Sequence, residues 1–177
     1  MRKYRSLSFA ILLTSSLFYC SCEKEISQKQ QQQEQLTSAV GHLNAETPPF
    51  NLEVTLRGED NGFGLVKFRQ DVNPSKIIIL DTWVRDLEPD HEYQLQRAVD
   101  PINVVDGDCT STSWLTLGKG LTAQSIITDA NGTGNEQLWR DVTAVPTGSK
   151  FDIHFRIVDA STMAVVLTSN CYEYIVR

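Results

Sequence analysis

The sequence lacks several features on which common classes of protein depend. No apolar run approaches the length of a membrane-spanning helix, which argues against a multi-spanning membrane protein. No Gly-x-Ser-x-Gly elbow, phosphate-binding glycine loop or His-Glu-x-x-His motif occurs, so the signatures of several enzyme classes are missing. No segment shows sustained helical spacing of its apolar residues. These absences point away from helical and nucleotide-binding proteins.

Positive charge is also scarce. The chain has 16 Lys and Arg residues against 22 Asp and Glu residues, a formal net charge of −6. Removing Arg2, Lys3 and Arg5 with a signal segment leaves 13 basic residues and a net charge of −9. This balance argues against nucleic acid as a partner, and a solvated acidic surface accounts for it.

Residues 1–21 have the layout of a secretory signal peptide. Three basic residues within the first five precede an apolar segment from Phe9 to Phe18, and small residues and cysteine follow. A globular region of about 130 residues then remains, which is enough for a single core.

The segment YCSCEKE, residues 19–25, resembles the lipobox of bacterial lipoproteins. Cys22 follows the small Ser21, whereas Cys20 follows the bulky Tyr19, so a peptidase that needs a small residue before the scissile bond should prefer Cys22. The resemblance implies that Cys22 is diacylated and N-acylated, which would anchor the protein firmly. The alternative is a plain signal peptide cleaved nearby and a soluble secreted protein.

Cysteine usage is consistent with this site. If Cys20 leaves with the signal and Cys22 carries lipid, Cys109 and Cys171 remain as an even pair in an oxidising setting. We therefore expect a disulfide between them, with two free buried thiols as the alternative. Their separation of 62 residues corresponds to an entropic stabilisation of about 4 kcal/mol in the loop-closure model.

The chain changes character at Pro48 and Pro49. Residues 22–49 are polar and include the glutamine-rich run QKQQQQEQ, so we interpret this segment as a lipidated cysteine followed by a flexible tether. From Phe50 onwards apolar residues alternate with polar ones, a period typical of β-strands. The predicted strands cover Leu52 to Leu56, Leu65 to Phe68, Ile77 to Val84, Tyr93 to Gln96, Ser125 to Thr128, Glu136 to Val142, Phe151 to Val158, and Ala164 to Val176 with a break near Ser169. About eight antiparallel strands in residues 50–177 predict an all-β Greek-key sandwich or flattened barrel.

Several segments resemble copper/zinc superoxide dismutases, in order and over nearly all of residues 52–176. VTLRGEDNGFGLVKFRQ is similar to the first hairpin of that family, and LEPDHEYQLQ to its Leu-x-Pro-Gly turn and copper-binding strand. DGDCTSTSW resembles the cysteine-bearing loop, LGKGLTAQSIITDANGTG the Leu-Gly and Asp-x-x-Gly turn, DIHFRIVDAS the strand with the last copper ligand, and SNCYEYIV the closing strand. The resemblance implies the family's β-sandwich and places Cys109 close to Cys171.

The same resemblance implies that most metal ligands are lost. Gln94 and Gln96 stand where the family has two copper histidines, and the zinc loop is reduced to residues 110–118 without a histidine. Only His154 falls on a ligand position. A lone imidazole does not hold a redox metal, so we expect no metal, no other cofactor and no dismutase activity. His91, beside a turn, is interpreted as an exposed polar residue rather than a second ligand.

Other candidate sites have simpler interpretations. The segment from Asp129 to Glu136 has the start of a calcium loop, but Arg140 stands where a bidentate glutamate is needed, and a hairpin turn at Asn131-Gly132 explains it better. Asp106-Gly107-Asp108 is interpreted as a solvated loop.

The three tryptophans are predicted to differ in their surroundings. Trp83 lies in an apolar run and is expected in the core, whereas Trp114 follows the loop cysteine and could pack on the bridge. Core packing is the default for Trp139, but on an exposed strand face it would suggest a carbohydrate or protein contact.

The sequence therefore predicts a lipoprotein of the cell envelope, anchored to the outer membrane through Cys22, with a non-catalytic binding or structural domain. Its partners would be the membrane and an envelope protein or glycan. One alternative is a metal-binding protein or dismutase-like enzyme that uses His154 in an atypical site. Another is an accessory subunit of an outer-membrane assembly, with an apolar strand face around Trp139 and Val142.

Overall fold

The computed structural model describes residues 48–59 and 61–177, and the compact unit to which they belong spans Thr47–Arg177. Cys20, Cys22 and the glutamine-rich run lie outside the described residues. No helix in the part that is described has the length and apolarity needed to cross a membrane. The described chain is built from β-strands joined by turns and loops, so the predicted all-β class is confirmed.

Twelve strands make up the fold. They are β1 (Phe50–Arg57), β2 (Phe63–Gln70), β3 (Ile77–Arg85), β4 (Glu92–Val99), β5 (Leu115–Thr116), β6 (Gly118–Lys119), β7 (Thr122–Ala123), β8 (Ile126–Ile127), β9 (Gly134–Asp141), β10 (Lys150–Asp159), β11 (Val165–Ser169) and β12 (Tyr172–Ile175). Eight of them are longer than two residues, and β5 to β8 are short pieces within one connection.

The strands form a nearly closed, barrel-like sheet in the order β5-β4-β10-β11-β1-β2-β3-β9-β6-β7. β12 also pairs with β10, and β8 with β4. The connection that holds β5 to β8 bridges the two ends of the sheet, because β5 and β8 pair with β4 while β6 pairs with β9. β3 therefore neighbours β9, and β4 neighbours β10, rather than each other.

The core lies inside the barrel because every second residue of the long strands is apolar and points inward. Leu95, Leu138 and Ile157 are fully buried there. Phe68 packs edge-on against Phe155 and Tyr174, with ring centroids 6.3 and 4.8 Å away. A cavity of about 190 Å³ remains near one end of this interior.

One buried polar group also organises that end of the barrel. Gln70 is fully buried, and its Oε1 accepts hydrogen bonds from the Tyr174 hydroxyl at 2.7 Å and the Arg177 backbone N–H at 2.9 Å. Burial raises the pKa of the Tyr174 hydroxyl, so this group stays a neutral donor well above pH 7. The pair ties the last residues of the chain to the end of β2.

The predicted long strands are confirmed, and so is the interruption of the last one. β11 ends at Ser169 and β12 begins at Tyr172, with Cys171 between them. Residues 115–127 differ from the prediction because four two-residue strands form where one short strand was expected. A strand of two residues is too short to show an alternation of apolar and polar residues, so the sequence could not reveal these strands.

The turn at Asn131-Gly132 forms as predicted. Gly132 has a φ of 73°, and a Cβ atom there would lie 2.1 Å from the Leu87 carbonyl oxygen. The Asp129 carboxylate accepts hydrogen bonds from the backbone N–H groups of Asn131 and Thr133, at 2.8 and 3.0 Å. These bonds lower the pKa of Asp129. The carboxylate therefore caps a turn, which agrees with the hairpin interpretation of this segment.

Trp83 corrects one prediction. In β3 the inward positions are those of Ile78, Leu80, Thr82 and Val84, so Trp83 lies on the outer face and is half-buried. There it meets Phe63 edge-on at 6.0 Å between centroids, and the Arg85 guanidinium lies over both rings. The apolar run of β3 concealed the alternation, because outer positions on this strand are apolar as well.

Candidate functional site

The candidate site lies on the outer face of β4 and β10. Arg156 pairs with Gln96, and His154 pairs with Ala98, so Gln96 and His154 come to the same face as diagonal neighbours. Gln94 pairs with Val158, four positions along β4 from Ala98 and therefore roughly 13 Å further along the strand. The structure thus brings together two of the three positions that the sequence singled out, and places the third apart.

The Gln96 side chain is buried and uses both ends of its amide. Its Nε2 donates to the Thr116 hydroxyl oxygen at 3.0 Å, and its Oε1 accepts from Arg156 Nε at 2.7 Å. Thr116 belongs to β5, which pairs with β4 beside Gln96. This glutamine therefore joins three strands, and its oxygen is already in use by a cation.

Trp114 covers the remainder of this face. Its ring lies 4.5 Å from the His154 ring, with an angle of 33° between the planes, and the Arg156 guanidinium carbon lies 4.0 Å from its centroid. A guanidinium over an indole face is an attractive cation–π contact. We call Gln96, Trp114, His154 and Arg156 the outer-face cluster. Trp114 is thus placed by His154 and Arg156.

His154 is held by a backbone carbonyl. Its Nε2 lies 3.0 Å from the Ser111 carbonyl oxygen, and because a carbonyl only accepts, this nitrogen carries the proton. The lone pair of the neutral ring is then on Nδ1. The contact ties the loop of residues 100–114 to β10.

A disulfide fixes the same loop. Cys109 and Cys171 are bonded, with an S–S distance of 2.10 Å and α-carbons 5.4 Å apart, within the range that disulfides span. The predicted bridge is confirmed. It connects the loop after β4 to the two residues between β11 and β12, so this loop is covalently joined to the last part of the sheet.

Two buried carboxylates bind backbone N–H groups of the same loop. Asp100 accepts from the backbone N–H groups of Thr110 at 2.9 Å and Ser111 at 2.7 Å. Asp152, also buried, accepts from the N–H groups of Asp106 at 2.9 Å and Gly107 at 2.8 Å. The bonds from Thr110 and Ser111 hold the pKa of Asp100 below its usual value, against the opposing effect of burial. The sequence did not identify either carboxylate, although both stand beside the apolar residues of a strand.

The cluster does not fit a copper or zinc ion. Such sites need three or four ligands of suitable type, and His154 is the only imidazole in the cluster. In residues 48–59 and 61–177 no group of three or more His, Cys, Asp and Glu side chains is placed to hold a metal ion. The side chains bind one another instead, so the arrangement can position a loop but offers no pair of groups for redox chemistry.

His91 is bound elsewhere, which corrects its interpretation as a simple exposed residue. Its Nε2 lies 2.5 Å from Asp159 Oδ2, and the side chain is 27% exposed. Asp159 also accepts from Ser161 and Thr162, and these contacts together with His91 lower its pKa. The pair closes the turn after β10 onto the turn before β4.

The proposed apolar face around Trp139 and Val142 does not form. Trp139 is 39% exposed on the outside of β9, whereas Val142 lines the cavity inside the barrel. Consecutive positions of a strand alternate between its faces, and the chain turns away after Asp141.

No family model, curated protein or solved structure matches the chain.

Proposed function

We propose that the protein is a lipid-anchored lipoprotein of the cell envelope whose β-domain has a non-catalytic binding or structural role. The arrangement of the outer-face cluster supports the non-catalytic role most directly. Gln96, His154 and Arg156 each form a hydrogen bond or ring contact with a neighbour, and a set of this kind stabilises a loop rather than poising a reacting group. The cluster itself holds no nucleophile and no metal ligand set, which points the same way.

We also propose that the domain has the Greek-key connectivity of the copper/zinc superoxide dismutases, with the metal site lost. The strand order is the main support, since β3 pairs with β9 while β4 pairs with β10. The bridge between the loop after β4 and the closing strands agrees with the same resemblance. On this proposal the outer-face cluster occupies the place of the ancestral metal site, with Trp114 and Arg156 filling the space.

Metal content tests the non-catalytic role. The full chain, purified without chelator, should contain less than about a tenth of an equivalent of copper or zinc by elemental mass spectrometry, because one imidazole binds such ions weakly. The His154→Ala variant is the matched control and should give the same trace value. One equivalent of metal that disappears in His154→Ala would refute the proposal in favour of an atypical metal site.

The lipid anchor needs a separate test, since its residues lie outside the described part. Cys22→Ser should abolish incorporation of a labelled fatty acid and move the protein from the detergent phase to the aqueous phase of a phase-separation assay. Cys20→Ser is the matched control, because Cys20 would leave with the signal peptide, and it should behave as the unmodified chain. Loss of the label with Cys20→Ser alone would contradict the assignment of Cys22.

A further inference from the structure

The interior of the barrel contains a cavity that the outer-face cluster does not touch. Its volume is about 190 Å³, and it lies at the end where β2, β4 and β9 finish and β3 and β10 begin. Phe68, Leu80 and Phe155 form its buried wall, and Ile102, which is 52% exposed, stands at its mouth with Val142. The cavity is therefore apolar in its depth and open to solvent at one side.

Two arginines point into this apolar space. Arg97 lies between Leu95 and Val99 in the inward-facing series of β4, and Arg140 follows Leu138 in the inward-facing series of β9. Inward positions of a barrel are normally apolar, and arginine is among the residues least often buried. A charged residue in the apolar phase of a strand is the sequence signal that would have identified both.

Neither guanidinium is in direct contact with a described carboxylate, although the charge of Arg140 contributes to the lowered pKa of Asp141. Neither Arg97 nor Arg140 forms an ion pair with a described carboxylate, and the one hydrogen bond of the Arg140 guanidinium runs to the Gly120 carbonyl at 3.3 Å. Asp100 also lines the cavity, but its carboxylate accepts from Thr110 and Ser111. Burial lowers the pKa of Arg97, and the like charge of Arg140 lowers it further.

Two like charges beside an apolar wall are costly to fold, so an anion that binds between them would recover favourable interactions. The guanidinium fork matches a carboxylate with two parallel hydrogen bonds, and it is more weakly hydrated than an ammonium group. The walls supply the complementary apolar surface. An apolar cavity of about 150 Å³ takes up benzene, so this one has room for roughly eight non-hydrogen atoms.

We propose that the barrel cavity binds a small organic carboxylate, with its apolar body against Phe68, Leu80 and Phe155 and its carboxylate directed at Arg97 and Arg140. This proposal names a ligand class for the binding role proposed above, and it rests on that role. Its site is distinct from the outer-face cluster. A metal found at His154 would refute the non-catalytic role and leave the cavity proposal standing, and failure to bind a carboxylate would do the reverse.

Three isosteric probes test the charge requirement by isothermal titration calorimetry on the full chain at pH 7. Benzoate is anionic, benzamide neutral and benzamidine cationic, and each places a six-carbon ring in the apolar part of the cavity with its polar group toward the arginines. Benzoate should bind one to one with a Kd of roughly 10 µM to 1 mM, as expected for a ligand of this size. Benzamide should bind at least about tenfold more weakly, since it lacks the charge-assisted pair, and benzamidine should not bind.

Substitutions locate the binding. Arg97→Met and Arg140→Met should each weaken benzoate binding by at least about tenfold and raise the melting temperature, because each removes one of the two like charges that line the same apolar cavity. Val99→Phe keeps both arginines but fills the cavity, and it should abolish binding. Arg85→Met is the matched control, since Arg85 lies on the outer face at the far end of β3, and it should bind benzoate as the unmodified chain does.

Three results would overturn the proposal. One is no saturable heat with benzoate up to roughly 10 mM, about ten times the weakest Kd expected. Another is equal binding of the three probes, which would show an apolar cavity without selection for charge. The third is unchanged benzoate binding in Arg97→Met and Val99→Phe, which would place the binding on the surface. If Arg97→Met fails to give a cooperative melt, Arg97→Lys replaces it in the binding test, because it keeps the positive charge but not the guanidinium fork.

Discussion

Removal of the Cys109–Cys171 bridge should lower the free energy of unfolding by about 4 kcal/mol. The bridge closes a loop of 62 residues, and the chain-entropy model assigns this stabilisation to the restriction of the unfolded chain. The perturbation is the double substitution Cys109→Ser and Cys171→Ser. Both cysteines are half-buried, so the two hydroxyl groups should be tolerated where the sulfur atoms stood.

The structure also specifies where this loss should appear. Three hydrogen bonds hold the loop of residues 100–114 independently of the bridge, from Asp106 and Gly107 to Asp152 and from Ser111 to Asp100. We expect them to remain when the bridge is removed. The native loop should therefore stay in place, and the effect should fall on the unfolded state. A more expanded unfolded chain exposes more surface, so the slope of the unfolding free energy against denaturant should rise as well.

Urea unfolding followed by circular dichroism measures both quantities. The double variant and the reduced unmodified chain should agree with each other and differ from the oxidised chain by the predicted amount. The double variant measured with and without reductant is the control, and the two curves should coincide. A loss below about 1 kcal/mol with an unchanged slope would refute the reasoning, because it would mean that the bridge restrains the unfolded chain very little.

Three other predictions concern the interior and the loop. Phe155→Ala should cost about 3–5 kcal/mol in urea unfolding, since it removes a buried ring from the core, and a loss below about 1 kcal/mol would contradict the packing described. Tyr174→Phe should lower the free energy of unfolding by about 1–2 kcal/mol, because Gln70 then has one donor fewer. Since burial raises the pKa of Tyr174, the stabilisation by this residue should hold below about pH 10 and decline above it. An equally steep loss of stability above about pH 10 in the variant would disprove this. Because the pKa of Asp100 is lowered from its ordinary value of 3.8, this carboxylate stabilises the fold above pH 3.8, and the stabilisation is lost as the pH falls further. Asp100→Asn should therefore make the free energy of unfolding less dependent on pH in acid. An unchanged dependence would argue against the contacts to Thr110 and Ser111.

The long strands could be predicted because their signal is local. Alternation of apolar and polar residues places one face of each strand in the core, and this period located β1, β2, β4, β9 and β10 within a few residues. The prediction was poorest in residues 115–127, where pairs of residues join strands that are far apart in sequence. Trp83 was misplaced for a related reason, since Ile77 and Ile79 on the outer face of β3 are apolar as well.

The candidate site was predicted in part. Gln94, Gln96 and His154 stood out in the sequence, but the distance of each glutamine from His154 depends on the register between β4 and β10. Pairing register is set by the whole sheet, and a shift of one residue would turn each side chain to the other face. The contacts of Trp114 with His154 and of Arg156 with Trp114 follow from that register and have no signal of their own in the sequence.

The amino-acid sequence by itself determined the all-β class and the positions of the long strands, because alternation does not depend on distant contacts. Tertiary structure alone decided which groups meet: Asp152 with the loop amides, His154 with Trp114, and Arg97 with Arg140 in one cavity. The physical reason is that closing the sheet into a barrel brings together residues tens of positions apart. Charge, burial and hydrogen bonding then act between neighbours that the linear chain does not show.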